Sequence, residues 1–300
     1  MIKNIPASVM GKLKNASRKS NKPLNLIMQL YIQERLLYRL SLSKYNDNFL
    51  LKGGLLLYSM TEFKGRPTKD IDFLAKNIPN DPENIEKVFK DICNMEASDG
   101  VNFDLGSIKA ISIKEGADYE GVRVKVPAFI GQAKIILQVD IGFGDIVIPK
   151  PVSVKYPALL DFENPEINAY SFDSVIAEKF EAIVSLSLLN SRMKDFYDIY
   201  ELLNKRNFDG RVLQEAIFQT FQRRGTRIEK DLMIFSDDFA NDSSRNKQWK
   251  LFLKKIGKEE KEFVEVIKEI FRFIKPIYNA MLEEEEFFYQ WNCVTKQWLP

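Results

Sequence analysis

The stretch LKGGLLLYSMTEFKGRPTKDIDFLAK, residues 51–76, ends in an apolar run that contains two aspartates one residue apart. Residues 70–75 are predicted to form a buried strand, in which side chains point alternately to opposite faces. Asp70 and Asp72 therefore share one face, about 6–7 Å apart. Two carboxylates held this close repel each other and lose solvation. A divalent cation removes that repulsion, and carboxylate oxygens suit Mg²⁺ or Mn²⁺.

A third acid lies inside a later predicted strand. Asp140 is the interior acid of IILQVDIGFGD, residues 135–145, and Gln138 and Gly142 share its face. Taken alone, Asp140 is explained as well by a strand-end cap or a surface acid. Beside the Asp-Ile-Asp pair it completes a set of three carboxylates, which is typical of a site with two metal ions about 3.5–4 Å apart.

The glycine pair, Gly53 and Gly54, separates a predicted strand at 49–52 from a helix predicted to start within 55–61. Such a junction leaves bare backbone N–H groups at a helix N-terminus, which suit a phosphate. A tight turn is the plain alternative for two glycines. Backbone donors for phosphates together with carboxylates for Mg²⁺ point to phosphoryl or nucleotidyl transfer.

The composition excludes several classes of site. The chain has no histidine, so serine and cysteine hydrolases that need a histidine base, and zinc sites that need histidine ligands, are excluded. Cys93 and Cys293 fit no zinc or redox spacing, so we expect a cytoplasmic protein without disulfides. Charges throughout the first 22 residues argue against a signal peptide, and no apolar run approaches the roughly 18 residues of a membrane span.

Positive charge is concentrated near the N-terminus, although the net charge is only +2. Residues 1–45 contain nine lysines or arginines and a single acid, Glu34. This asymmetry favours an anionic partner, with a solvated helical face as the alternative. If the partner is RNA, the arginines expected to contact it are Arg35, Arg39, Arg223, Arg224 and Arg227.

The order of predicted elements is helices, then a mixed α/β middle, then helices, which indicates an α+β protein. We expect N-terminal helices packed on the core in 1–45, a core in 46–170 and a helical domain in 171–300. Helices are predicted at 7–20, 23–42, 82–95, 173–189, 193–204 and over most of 211–289, and strands at 107–114, 121–129 and 134–142.

Five segments in combination resemble the AbiEii/AbiGii toxin family, within the nucleotidyltransferase superfamily. These are FLLKGGLLLYSM, RPTKDIDFL, QVDIGFGD, SVIAEKFEAIVSL and RMKDFYDIYELL, and the resemblance spans about residues 24–205. The family comprises toxins of type IV toxin–antitoxin and abortive-infection (phage-defence) systems. The resemblance implies a polymerase-β-like core with a mixed sheet and a helical C-terminal domain.

The resemblance also implies roles for individual residues. Asp70 and Asp72 match the metal-binding and catalytic pair, and Asp140 matches the third carboxylate. Many relatives have Gly-Ser where this chain has Gly-Gly. A hydroxyl donor is therefore missing, and phosphate binding is expected to depend on backbone N–H groups and lysines. The nucleotide-binding set is expected to be Lys52, Gly53, Gly54, Arg66, Thr68 and Lys179, with Lys179 and Asp195 also catalytic.

Two of these matches have structural alternatives. Lys179 lies in an apolar helix, where a lysine usually extends towards solvent or pairs with an acid. Asp195 lies in the first turn of a helix, where the helix dipole favours a carboxylate.

The resemblance implies a toxin that depends on Mg²⁺ or Mn²⁺ and moves a nucleoside monophosphate from GTP or a pyrimidine triphosphate to RNA. A tRNA 3′ end is the favoured acceptor. This modification of RNA is expected to halt growth. It also implies an antitoxin that acts as a separate transcriptional repressor without a tight complex. A nucleotidyltransferase that modifies proteins, and an NTP- or RNA-binding module without catalysis, are the alternatives. A kinase is less favoured, because no separate catalytic loop is evident.

Overall fold

The computed structural model describes residues 4–61, 65–115, 119–187 and 191–300 of the chain. Two compact units are present. The first consists of Met1–Gly144 and Val152–Ala169, and the second of Asp145–Pro151 and Tyr170–Pro300. The basic N-terminal helices belong to the first unit.

The first unit is built on a mixed eight-stranded sheet. Its main order is β3-β5-β6-β2-β1-β8-β7, and β4 also pairs with β5. β2 runs parallel to β6 and β1 parallel to β8, while the other pairs are antiparallel. The strands are β1 (Phe49–Lys52), β2 (Asp70–Ala75), β3 (Val101–Phe103), β4 (Lys109–Glu115), β5 (Tyr119–Ile130), β6 (Ala133–Phe143), β7 (Val152–Lys155) and β8 (Glu166–Ala169).

The described part of the first unit also contains the helices α1 (Ile5–Ser20), α2 (Leu24–Leu42), α3 (Gly53–Met60) and α4 (Pro82–Cys93). α1 and α4 each have a proline in the first turn and a side chain, Asn4 or Asp81, that caps the N-terminus. Phe89 of α4 packs edge-on against Phe49, which in turn packs against Phe73. This aromatic contact places α4 on the apolar face of the sheet.

α2 carries charged side chains in its buried interior. Arg35 is 1% exposed and Arg39 is 3% exposed. Arg35 pairs with Glu34 and donates to the Glu163 carbonyl at 2.8 Å, and Arg39 Nη1 donates to Asp99 Oδ2 at 2.7 Å. The expectation that Arg35 and Arg39 contact RNA is therefore wrong, because both guanidinium groups are enclosed and matched by internal acceptors.

The second unit is mainly helical. Its helices are α5 (Phe172–Leu186), α6 (Met193–Leu203), α7 (Gly210–Arg224), α8 (Asp237–Asn241), α9 (Ser243–Ile256) and α10 (Phe263–Leu282). A small sheet also forms from β9 (Phe208–Asp209), β10 (Gln290–Asn292) and β11 (Gln297–Leu299), in the order β11-β10-β9.

The prediction of a helix reaching residue 289 is wrong, because α10 ends at Leu282 and the chain then becomes extended. Aromatic burial favours that extended course. Trp291 is 1% exposed and its indole N–H donates to the Leu203 carbonyl at 2.7 Å, and the ring of Trp298 stacks on Phe273.

The strands predicted at 49–52 and 70–75 are confirmed, as is the α+β class with a mixed sheet. The helix predicted at 173–189 begins at Phe172, and positions 188 and 189 lie outside the described residues.

Within the described part of the chain, no helix is both long and apolar enough to span a membrane.

Candidate functional site

One row of paired residues crosses four strands of the first unit. Lys52 lies opposite Asp72, Asp72 opposite Asp140, and Asp140 opposite Arg123. Residues that face each other on neighbouring strands point to the same face of the sheet, about 4.8 Å apart. These four side chains therefore form a charged line across one face.

Asp70 lies one pleat away from this row, opposite Gln138. The intervening Ile71 is fully buried on the other face, whereas Asp70 and Asp72 are each partly exposed. The structure thus brings the three predicted carboxylates, Asp70, Asp72 and Asp140, to one face, as the alternation of the strand implies. Their roles as metal ligands stay predictions.

Asp140 is held by a charged partner that the sequence analysis missed. Arg123 Nε lies 2.7 Å from Asp140 Oδ1, and Arg123 Nη2 lies 2.9 Å from Oδ2. Gln138 Nε2 adds a third donor at 3.1 Å from Oδ2. A two-pronged, charge-assisted contact of this kind is among the stronger pairings available to a carboxylate. The signal for Arg123 was its alternation with buried valines on β5.

The donor set fits a hard divalent cation in part. Mg²⁺ commonly takes one or two carboxylates and completes its shell with water and substrate phosphates. Asp70 and Asp72 can supply that pair, whereas Asp140 can join only by exchanging Arg123 for the cation. Consistent with this, no group of three or more carboxylate, histidine or cysteine side chains is gathered for a metal among the described residues.

Gly53 explains why the chain has a glycine pair next to this site. It begins α3 with φ +66°, a conformation that favours glycine, and a Cβ built there would lie 2.1 Å from Asp72 Oδ2. A Cβ on Gly54 would lie 3.2 Å from Arg66 Nη2 and from Thr68 Cβ. The N-terminus of α3 therefore lies against the Asp72 carboxylate, with two predicted phosphate-binding side chains beside it.

α2 holds the start of β2 in place. Gln29 Nε2 and Gln33 Nε2 both donate to the carbonyl of Lys69, at 2.7 and 2.9 Å. Lys69 immediately precedes Asp70 in the chain. Both glutamines are buried, so the entry to the Asp-Ile-Asp strand is set by polar contacts within the core. Nothing in the spacing of two helical glutamines links them to a strand, so the sequence did not predict these contacts.

Lys179 and Asp195 lie in the second unit, in an ion-pair network with Asp198 and the half-exposed Arg192. Lys179 Nζ lies 3.0 Å from Asp195 Oδ1 and 2.8 Å from Asp198 Oδ2, and Arg192 Nε lies 2.8 Å from Asp195 Oδ2. Asp195 and Asp198 are almost fully buried. Lys179 and Arg192 therefore pair with acidic side chains. For Lys179, pairing with an acid is the structural alternative that the sequence left open. The role of Lys179 towards a triphosphate stays a prediction.

Arg224 is also engaged within the second unit. Its guanidinium lies 2.8 Å from Glu181, 3.2 Å from Glu178 and 3.5 Å from Asp145. Burial alone lowers the pKa of Arg224, but the surrounding carboxylates outweigh it and raise that pKa above its ordinary value. Arg224 thus has internal carboxylate partners, and its contact with RNA stays a prediction, as does that of the exposed Arg223 and Arg227.

Comparisons with known proteins identify the family of this chain. A family model described as "Nucleotidyl transferase AbiEii toxin, Type IV TA system" matches residues 35–272. Among solved structures, MenT4, a nucleotidyltransferase toxin from Mycobacterium tuberculosis H37Rv, is 16% identical with a TM-score of 0.53, covering 91% of this chain and 99% of that chain. JHP933 from Helicobacter pylori is 13% identical with a TM-score of 0.46, covering 85% and 94%. A search of curated proteins gave no match.

Proposed function

Because this chain belongs to the AbiEii family of nucleotidyl transferase toxins of type IV toxin–antitoxin systems, we propose that it transfers a nucleoside monophosphate from a nucleoside triphosphate to RNA. The observation that carries the proposal is the contact between the N-terminus of α3 and the Asp72 carboxylate. Gly53 makes this approach possible, since any side chain there would collide with Asp72. Donors for phosphate and carboxylates for a cation thus lie within one short segment.

Each group near the row has a role in this proposal. The backbone N–H groups at the start of α3 bind phosphate oxygens, assisted by Lys52, Arg66 and Thr68. Asp70 and Asp72 hold Mg²⁺, which when bound supplies positive charge to the triphosphate.

Asp140 is the next carboxylate on the same face. Once Arg123 is displaced from it, Asp140 can complete the cation site or accept the proton of the attacking hydroxyl. The chain has no histidine, so this proton transfer rests on a carboxylate.

An RNA acceptor is supported by the surface of α1. Lys12, Lys14, Arg18 and Lys19 are exposed on this helix, which contains no acidic residue. This surface replaces the buried α2 arginines as the basic region of the N-terminus. Binding through it should weaken as salt rises. The donor base, a tRNA 3′ end as the acceptor and growth arrest as the outcome are part of the proposal, as is a separately acting repressor antitoxin.

The test is transfer of label by the purified protein. The protein is incubated with Mg²⁺, total tRNA and, in turn, each of the four α-³²P-labelled nucleoside triphosphates. Asp72→Asn should lower transfer by at least about 100-fold, because it removes one of the two carboxylates proposed to hold Mg²⁺. Glu96→Gln is the control, since Glu96 is exposed in the same unit and the loss of its charge should leave transfer intact.

Label on RNA that disappears in Asp72→Asn would establish the reaction and identify the donor. Label on protein alone would replace the RNA acceptor with a protein hydroxyl. RNA binding without any transfer would count against catalysis and favour a binding module. Melting curves of both variants would show whether each is folded.

A further inference from the structure

The face that carries the three aspartates continues beyond them along β6. Lys134, Ile136, Gln138 and Asp140 alternate onto this one face, so it extends about 20 Å from Asp140 to Lys134. Ile136 is 54% exposed and Lys134 is exposed. An isoleucine this open in the middle of a strand has apolar surface available for a ligand.

The neighbouring strand adds matching side chains. On β5, Lys125 lies opposite Gln138 and Phe129 lies opposite Lys134, and the ammonium of Lys134 is 5.5 Å from the centroid of the Phe129 ring. On β4, Ile111 is 53% exposed. We call this surface, formed by Ile111, Lys125, Phe129, Lys134 and Ile136, the β4–β6 face.

Charge is distributed unevenly along this surface. Asp72 and Asp140 occupy one end and Lys134 the other, while Lys125 lies in the row of Asp70, with Gln138 between them. Among the described residues, no carboxylate forms an ion pair with either lysine. Both ammonium groups therefore keep their charge available to an anion, and Ile136 lies between Lys134 and the aspartates.

We propose that the β4–β6 face binds a single-stranded segment of the RNA acceptor, with its reactive hydroxyl end at the aspartates. The proposal rests on the function proposed above. Bases would lie on Ile111, Phe129 and Ile136, and phosphates would contact Lys125 and Lys134. Open sheet faces with apolar and aromatic side chains take two or three unstacked bases in this way. The length of about 20 Å along the strand suits a segment of that size.

A protein acceptor is the competing occupant. The alternation of lysines and apolar side chains matches a phosphate backbone with its bases, whereas an extended peptide would be recognised mainly by main-chain pairing at a sheet edge. The same experiment separates the two, because only RNA binding through lysines depends on salt with the slope expected for phosphate contacts.

The experiment measures binding of a short fluorescein-labelled single-stranded RNA by anisotropy over a range of salt concentrations, without nucleotide. Lys125→Ala combined with Lys134→Ala should lower the salt slope by about 1.4 and weaken binding roughly tenfold at physiological salt. Ile136→Ser should weaken binding several-fold with an unchanged slope, because it removes apolar contact. Lys87→Ala combined with Lys155→Ala is the matched control, since both lysines are exposed in the same unit.

The proposal is overturned if the Lys125/Lys134 double variant binds as the wild type does, if the control pair weakens binding equally, or if the wild type binds no single-stranded RNA and labels a protein instead. The KM for RNA in the transfer assay should rise in the double variant while kcat changes little. Salt-dependent RNA binding that the double variant loses, in a protein that transfers no nucleotide, would support this face and reject the catalytic function. The two proposals therefore fail in different ways.

Discussion

Two pairs of aspartates in this protein have opposite environments. Asp70 and Asp72 are partly exposed on the open face of a sheet, with a helix N-terminus against Asp72. Asp195 and Asp198 are almost fully buried between α5 and α6, and Lys179 bridges them. Both pairs are closely spaced in the sequence.

The difference lies in the exposure of each pair and in its proposed role. In the second unit, Lys179 and Arg192 supply two positive charges at ion-pair distance from buried carboxylates. On the sheet, Asp70 and Asp72 are partly exposed beside the N-terminus of α3, and they are proposed to hold a cation that binds the substrate. Changes in the buried network should therefore alter mainly stability, and changes on the sheet mainly activity.

The largest expected effect on stability is in the buried network. Lys179→Met leaves Asp195 and Asp198 without their shared cation, which should cost about 3–5 kcal/mol in the free energy of unfolding. Urea unfolding would measure this. Lys205→Met is the control, because Lys205 is half exposed and pairs with Glu201 at the surface, so its loss should change stability by less than about 1 kcal/mol. Equal losses in both variants would remove the distinction between the two environments.

Gly53→Ala should reduce both stability and transfer activity, because Gly53 is part of the fold and also lies against the Asp72 carboxylate of the site. The new Cβ would lie 2.1 Å from Asp72 Oδ2 and adopt an unfavourable φ of +66°. We expect a loss of about 2–4 kcal/mol in stability and at least about 100-fold in transfer.

Gly11→Ala is the matched control for that change, because nothing lies within 4 Å of its Cβ and it occupies the middle of α1. It should stabilise the protein by about 0.5–1 kcal/mol. The same substitution would then have opposite signs at two helical glycines. If Gly53→Ala keeps full activity, the contact between α3 and Asp72 has no functional role.

The dependence of stability on pH extends the comparison to another acid, Glu34. Burial raises the pKa of Glu34 from 4.5 to about 7, against the opposing effect of Arg35. The folded protein therefore holds this proton more tightly than the unfolded chain, and its stability falls as pH rises from about 4.5 through about 7, by up to about 1.4 kcal/mol per pH unit. Denaturation midpoints between about pH 5 and pH 8 should show this slope flattened in Glu34→Gln.

The exposed Glu163 provides the control for that titration. Glu163→Gln changes a nearby surface carboxyl and keeps the carbonyl that Arg35 contacts. The change in stability with pH in Glu163→Gln should match that of the wild type. A slope that survives in Glu34→Gln would assign the pH dependence to another group, such as Asp173, whose pKa burial raises to about 6.

The smallest effect is expected at Arg123. Arg123→Gln removes the guanidinium that competes for Asp140, so Mn²⁺ titrated with nucleotide present should bind about two- to fivefold more tightly. Electron paramagnetic resonance of free Mn²⁺ measures this directly. Lys109→Gln removes a charge from β4 without touching Asp140, and should leave Mn²⁺ affinity unchanged. Weaker Mn²⁺ binding in Arg123→Gln would mean that the arginine assists the site instead.

Local pattern was enough to predict most elements near the site. The alternation of Asp70, Ile71 and Asp72 predicts both the strand and the shared face, and the glycine pair predicts the strand–helix junction. The two arginines of α2 were misassigned, because a helical pattern of leucines and arginines does not show whether Asp99 and Glu163 will lie beside the guanidinium groups. The C-terminal strands were missed for a similar reason, since their tryptophans pack on distant helices.

The sequence by itself determined which chemistry was available: no histidine, oxygen ligands in a strand and glycines ahead of them. That follows from residue type and from the two-residue period of a strand, which are local properties. Only the tertiary structure decided that Asp72 lies between Lys52 and Asp140, that Arg123 holds Asp140, and that Lys179 is shared by two buried aspartates. These pairings and the burial of the side chains depend on contacts between residues far apart in the chain, which the local sequence pattern does not specify.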